Sequence, residues 1–174
     1  MKKQMFQNIV LLSLTLGFLF SGCSRTKKDA SLYLEKAKGL GNIIFTQSSS
    51  FISLSKMYDS VWEYASVTEM DFKSAYDEMM GTRPGSLILE MDVNRERIAG
   101  LMRLAKRPPK EMDKVQARLE ELYDMYKQFH AFIVKFPTLS HEEYREEINI
   151  YVNDVNAIKS ELDLLISKAY QKIS

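Results

Sequence analysis

The chain has 174 residues, 45% of them hydrophobic and 27% charged, with only 7 Gly and 4 Pro. This is the composition of one globular domain, and it excludes collagen-like, low-complexity and disordered chains. Lys+Arg 24 against Asp+Glu 23 leaves a formal net charge of +1, without the concentrated basic footprint of a nucleic-acid binder, so nucleic acid is excluded as a partner.

The first 22 residues carry Lys2 and Lys3 and no acid, then an apolar run from Ile9 to Phe20. That run is 12 residues, against the roughly 20 that a membrane-spanning helix needs, so it reads as an export signal rather than a permanent span. Ser21, Gly22 and Cys23 follow. The order Phe20-Ser21-Gly22-Cys23 resembles the lipobox of bacterial lipoproteins, departing from it in having Phe20 where Leu is usual, with Leu19 one step further back. The resemblance implies that residues 1–22 are a signal peptide and that Cys23 is the lipid-attachment residue, acylated with palmitate-type chains and becoming the new N-terminus.

Residues 23–28 are then the lipidated Cys and a tether, with Arg25, Lys27 and Lys28 suited to anionic head groups. Residues 29–174 form a single helical-bundle domain. Removing the signal leaves 152 residues and turns the net charge to −1; a chain of about 150 residues buries roughly 68–70% of its unfolded surface, enough for a self-sufficient core. Cys23 is the sole Cys, so no intramolecular disulfide assists that core. Two or three acyl chains give stable anchoring where one would be marginal. The implied location is the bacterial cell envelope: the outer membrane of a Gram-negative cell, or the outer face of the plasma membrane of a Gram-positive one.

From Asp29 to Ala65 there is no Pro, and two heptad rows predict a long amphipathic helix: Ala37, Ile44, Phe51, Tyr58 and Ala65 beside Leu34, Gly41, Ser48, Ser55 and Trp62. The small residues of the second row predict a close helix approach, or else a shallow groove, and Ser48-Ser49-Ser50 could bend the helix. Thr68 with Asp71 resembles a capping box for a second helix carrying Phe72, Ala75, Tyr76 and Met79, ended by residues 81–85. A third segment places Leu87, Met91, Ile98, Leu101 and Ala105 on one face and stops near Arg107, before Pro108-Pro109. The proline pair is expected to start a fourth helix over 110–136, with rows Met112, Leu119, Tyr126, Ile133 and Val115, Leu122, Phe129, Phe136. Ser140 with Glu143 is a capping box, with Leu139 and Tyr144 as its staple, for a last helix that runs to the C-terminus. No alternating strand pattern appears.

These lengths and short connections predict an all-α fold. It is an elongated antiparallel up-down-up-down four-helix bundle with the second rod interrupted near 81–85; the alternative is a three-helix coiled-coil-like bundle. The stretch from Leu101 to Glu111, continued from Leu119 to Tyr126, resembles a segment of small helical bacterial proteins, several of them lipoproteins. That likeness spans about residues 90–165 and implies no activity.

Catalytic candidates are scarce. His130 and His141 are the only histidines, and no nucleophile-elbow motif accompanies them. His130 is expected on the flank of the fourth helix and His141 exposed in the first turn of the last. Glu-x-x-His, His-x-x-x-His and Cys-x-x-Cys are all missing, and the pairs Glu120-Glu121, Glu142-Glu143 and Glu146-Glu147 fall on solvated faces, so no metal ligand is assigned. Met79-Met80 and the other methionines read as core fillers rather than a Cu(I) site. Asn94, Asn153 and Asn156, on or beside apolar rows, read as register residues. Tyr64, Tyr123 and Tyr170 fall off the best seams. The sequence therefore reads as a non-enzymatic envelope lipoprotein with no catalytic residue and no cofactor, held to the membrane by a lipid anchor and presenting a side surface to another envelope protein. The alternative is a bundle that carries a small ligand or metal, which a cavity of several hundred Å³ near Gly41, Ser48, Ser55 and Asn94 would favour.

Overall fold

A computed structural model describes residues 27–173, apart from 82, 106, 110 and 136. Cys23, the signal and Phe136 lie outside the described residues. The described chain is all-α and contains no strand. Five helices follow one another: α1 (Lys27–Thr68), α2 (Phe72–Met80), α3 (Arg83–Ala105), α4 (Asp113–Ile133) and α5 (His141–Ile173). No helix among the described residues is long and apolar enough to cross a membrane.

At 1.5 Å per residue, α1 is about 63 Å long. Its two apolar rows are what the heptad spacing predicts: Ala37, Ile44, Phe51 and Tyr58 are buried on one, and Leu34, Gly41, Ser48 and Ser55 on the other. The serine run does not interrupt the helix. Ser48 Oγ donates to Ile44 O (3.0 Å), and Ser49 and Ser53 likewise bond the carbonyl one turn back, so the hydroxyls are satisfied without leaving helical geometry.

The small row is a packing feature. A Cβ built on Gly41 would stand 2.8 Å from Leu162 Cδ2 of α5, with Leu122 of α4 and Lys159 Cε both at 3.9 Å. Three helices meet there, which is possible because residue 41 has no side chain. Lys159 lays its stem over the same spot and sends its Nζ outward to Asp163, so its aliphatic carbons cover apolar surface while its charge is paired.

α1, α4 and α5 each pack against the other two, and α2 and α3 lie along α1, α3 also touching α4. Paired residues give the directions. Tyr33 meets Gln116 and Phe51 meets Phe129, so α4 runs with α1. Gly41 meets Leu162 and Trp62 meets His141, so α5 runs against it. Asp92 faces His130, and Arg95 acts on Tyr126, so α3 runs against α4. A second, smaller core of Val61, Ala65, Ala75 and Met80 holds α2 to the end of α1.

Several helix boundaries differ from those the sequence predicts. Thr68 does not cap α2; it is the last residue of α1 and its Oγ1 donates to Tyr64 O (2.7 Å). Asp71 is the cap, accepting from Ser74 N (3.0 Å) and Ser74 Oγ (2.6 Å). Between them Glu69 takes a left-handed φ of 55°, which lets Met70 N donate back to Ala65 O (3.1 Å). The interruption of the second rod is narrower than 81–85. α2 ends at Gly81, whose φ of 50° suits a residue without Cβ, and α3 has begun by Arg83, leaving Pro84 in a first turn where its missing N–H is no loss.

The fourth helix is also shorter than 110–136. Pro108 and Pro109 do not open it; Met112 N donates to Pro109 O (2.9 Å), closing a turn, and the helix starts at Asp113. The Ser140 box forms as the spacing predicts: Ser140 N donates to Glu143 Oε2 (2.9 Å) and Glu143 N to Ser140 Oγ (3.3 Å).

Two glycines two residues apart, on opposite faces of α1, therefore predict opposite outcomes. Gly39 has nothing within 4 Å of an added Cβ, so Gly39→Ala should raise stability by about 0.5–1 kcal/mol through helix propensity alone. Gly41→Leu should lower it by roughly 1–3 kcal/mol, because its side chain must displace Leu162. Urea-unfolding midpoints of the two variants against wild type measure both.

Candidate functional site

α3 is apolar on two faces. Met91, Ile98 and Met102 turn inward and are buried against the bundle. On the far side Leu89 is 65% exposed, Val93 60% and Leu104 60%. At 100° per residue, positions 89, 93, 100 and 104 fall within one 60° stripe, with the small Gly100 between the larger side chains. A helix that buries one face normally turns polar residues outward, and α3 departs from this at Leu89, Val93 and Leu104. Glu90, Glu96, Arg97 and Arg103 flank the stripe, all exposed. Sequence reading missed this face because the inward row of α3 was sufficient to explain the helix; apolar residues all round the helix were the available signal.

The two histidines occupy different surroundings, and neither lies where the spacing suggests. His141 is half-buried rather than exposed: its ring stacks on Trp62 (centroids 4.9 Å apart, planes at 9°), and its Nε2 lies 3.0 Å from Asp59 Oδ1. The flat Trp62 face at the end of α1 and the adjacent carboxylate together pull the first turn of α5 onto α1. Around them Tyr58, Phe72, Tyr76, Tyr144 and Phe132 form a continuous aromatic cluster, with Trp62 to Phe72 at 4.2 Å the closest pair. Such pairs contribute about 0.5–1.5 kcal/mol each beyond their buried area. Burial, reinforced by Tyr76, pushes the Tyr58 phenol up to about 12.

His130 is 1% exposed, deeper than a flank position. Its ring packs edge-on to Phe51 (5.7 Å) and its Nε2 lies 3.1 Å from Asp92 Oδ1, out of line for a hydrogen bond; neither ring nitrogen bonds a protein group among the described residues. Burial lowers the pKa of His130, Arg95 lowers it further, and Asp92 opposes both. Tyr126 OH, beside it, is likewise buried without a hydrogen bond among the described residues, and burial drives its phenol far above the usual range. The His130 nitrogens and the Tyr126 hydroxyl are buried, while Asp92 is partly exposed. This group holds α3 against α4.

The remaining candidates are structural. Glu120 accepts from Gln116 Nε2 (2.6 Å), and Gln116 Oε1 accepts from Tyr33 OH (2.6 Å) in a buried bond that ties α1 to α4. Glu121 pairs with Arg118, and Glu142 and Glu146 are exposed. Met80 is buried in the smaller core while Met79 is exposed. Asn153 and Asn156 are exposed, so they do not set register; Asn156 Nδ2 donates to Val152 O (2.8 Å). Asn94 is half-buried. Tyr64 donates to Glu78 (2.7 Å), and Tyr123 stacks on Tyr126, so two of the off-seam tyrosines are paired with neighbours. No group of three or more His, Cys, Asp or Glu could hold a metal among the described residues.

An open groove of 690 Å³ runs between α1 and α5, lined by Lys38, Asp163, Ile166, Ser167, Tyr170 and Gln171. None of Gly41, Ser48, Ser55 or Asn94 lines it. The interior at Gly41 is filled by Leu162, Leu122 and Lys159. Ser55 lies against the buried Tyr144 hydroxyl.

Buried His130 makes stability depend on pH in a defined direction. In the unfolded chain it protonates near 6.5; in the fold its pKa is lower. Below 6.5 the unfolded state therefore takes up a proton that the folded state resists, and stability declines as pH falls toward the folded value. Urea midpoints should drop between pH 7.5 and pH 5, and His130→Leu should flatten that drop. Equal slopes in the two proteins would show that His130 does not carry the effect. No protein-family model, curated protein or solved structure matches the chain.

Proposed function

We propose that the protein is a lipid-anchored envelope protein whose helical bundle acts as a non-enzymatic interaction module. Its anchor is Cys23 and its contact face is the outer stripe of α3. The lipobox-like order Phe20-Ser21-Gly22-Cys23 supports the anchor and the envelope location. The observation that carries the interaction reading is the exposure of Leu89, Val93 and Leu104 on a helix whose opposite face is already buried. The partner is another envelope protein that offers a complementary apolar surface with charges to meet Glu90, Glu96, Arg97 and Arg103.

The run of directions through α1, the α2–α3 rod, α4 and α5 supports an up-down-up-down bundle with a broken second rod. The mutual packing of α1, α4 and α5 favours a three-helix core for it, with the broken rod laid on the flank. In that arrangement α3 keeps an outer face free for a partner. The filled interior at Gly41 favours this function over ligand carriage.

The test compares wild type, Cys23→Ser and Leu89→Glu/Leu104→Glu in the native host. Mass spectrometry of the mature N-terminus should find acyl groups on wild type and on the α3 variant, and none on Cys23→Ser. Mild crosslinking should recover a defined envelope protein with wild type and lose it with the α3 variant. Because both α3 positions are exposed, that variant should keep its stability to within about 0.5 kcal/mol. Absence of acylation on wild type overturns the anchor, and an unchanged crosslinking pattern in the α3 variant overturns the contact face.

A further inference from the structure

The bundle is charge-polarised along its length. At one end lie the start of α1, the turn between α3 and α4, and the end of α5. The Tyr33–Gln116 hydrogen bond, the action of Glu35 on Tyr170 and the groove joining Lys38 to Tyr170 bring these three segments together. The exposed bases there are Lys28, Arg103, Arg107, Lys114, Lys168 and Lys172. Lys36 and Lys38 are exposed there too, and Asp29, Glu35, Glu111 and Asp113 interrupt this basic surface without cancelling it.

At the opposite end, where Trp62 meets His141 and Phe72, the exposed charges include Glu69, Asp71, Asp77, Glu78, Glu142 and Glu146. The bases there are Lys73, paired to Asp77 (2.6 Å), and the exposed Lys135 and Arg145, fewer than the acids, which also include Glu63 and Glu143. A nearly neutral chain thus behaves as a long electrostatic dipole.

The tether leaves from the basic end, because residues 23–26 precede Lys27 at the start of α1. We infer that this end is a docking surface for anionic lipid head groups, and that the bundle stands on it with its acidic end held away from the membrane. The inference rests on the anchored reading above and adds the orientation of the bundle. Basic side chains within a Debye length of an anionic leaflet are attracted to it, and each shifts the balance about fivefold. Acidic ones at the far end are repelled if the bundle lies down. Standing up also keeps Leu89 and Val93 clear of lipid, while Leu104 lies beside Arg103 at the docked end.

Trp62 is the only Trp, and it lies about 50 Å from the start of α1 at 1.5 Å per residue. The lipidated chain from its native host is reconstituted in phosphatidylcholine vesicles with or without phosphatidylglycerol, with a trace of dansyl-labelled lipid as energy acceptor. Transfer from Trp62 should be low with phosphatidylglycerol. It should rise as salt approaches 1 M, where the Debye length shrinks to about 3 Å, and at low salt it should rise in Arg103→Glu/Lys172→Glu. In phosphatidylcholine alone it should not respond to salt. Equal transfer in both lipids at every salt concentration overturns the docking surface while leaving the anchor in place. A chain that does not stay with either vesicle overturns the anchor, and the docking surface with it.

Discussion

The structure depends on α1 remaining one unbroken helix. All four other helices pack on it, so any kink would misalign α5 against its first half and α2 against its second. The serine hydroxyls, bonded to carbonyls one turn back, are accommodated within the helix, and tertiary packing holds it, since the Leu162 side chain closes over Gly41. Surface ion pairs such as Lys73–Asp77 and Lys127–Asp124 are solvated and add little by comparison. What stabilises this fold is apolar contact along the two rows of α1, arranged so that its narrowest point admits two partners at once.

Against that background the polar interior is costly. His130, Tyr126 and Tyr144 bury groups without hydrogen bonds among the described residues, each a penalty of about 1–3 kcal/mol. Two of the three sit beneath α3, which packs less extensively than α1, α4 or α5. The helix that carries the exposed apolar stripe is thus less firmly held than α1, α4 or α5. A contact face built on such an element can adjust to its partner, since the helix gives up less packing when it shifts than α4 or α5 would.

The heptad rows of α1, α4 and α5 could be read directly, because a period near 3.6 with bulky residues on one side leaves no other helical face to bury. Gly41 as a close approach followed from the same rows, and so did the Ser140–Glu143 box, which is a purely local hydrogen-bond pattern. Helix ends decided by competition were harder. Thr68 and Asp71 both suit a cap, and the choice went to Asp71 because Glu69 turned left-handed and closed α1 first. Pro109 could open a helix or close a turn, and Met112 made it a turn. His141 and Trp62 are 79 positions apart, so no sequence pattern announces their stacking. The stripe on α3 was hidden by its own redundancy, since one buried row already accounted for the helix. The signal at Cys23 is legible only as a resemblance, carried by four residues.

The pairing of α1 with α5, the most extensive in the bundle, joins the first helix of the described chain to its last. Neighbouring helices can meet as soon as both exist, but this pair must wait for the intervening residues. Contacts of such sequence separation slow folding and leave the early partner uncovered meanwhile. During synthesis and any passage across a membrane, the surface at Gly41, Tyr58 and Trp62 that α5 covers would travel unshielded. A chaperone that holds α1 until α5 arrives would therefore protect this chain at its most vulnerable stage, and truncation within α5 would leave that face permanently open to aggregation.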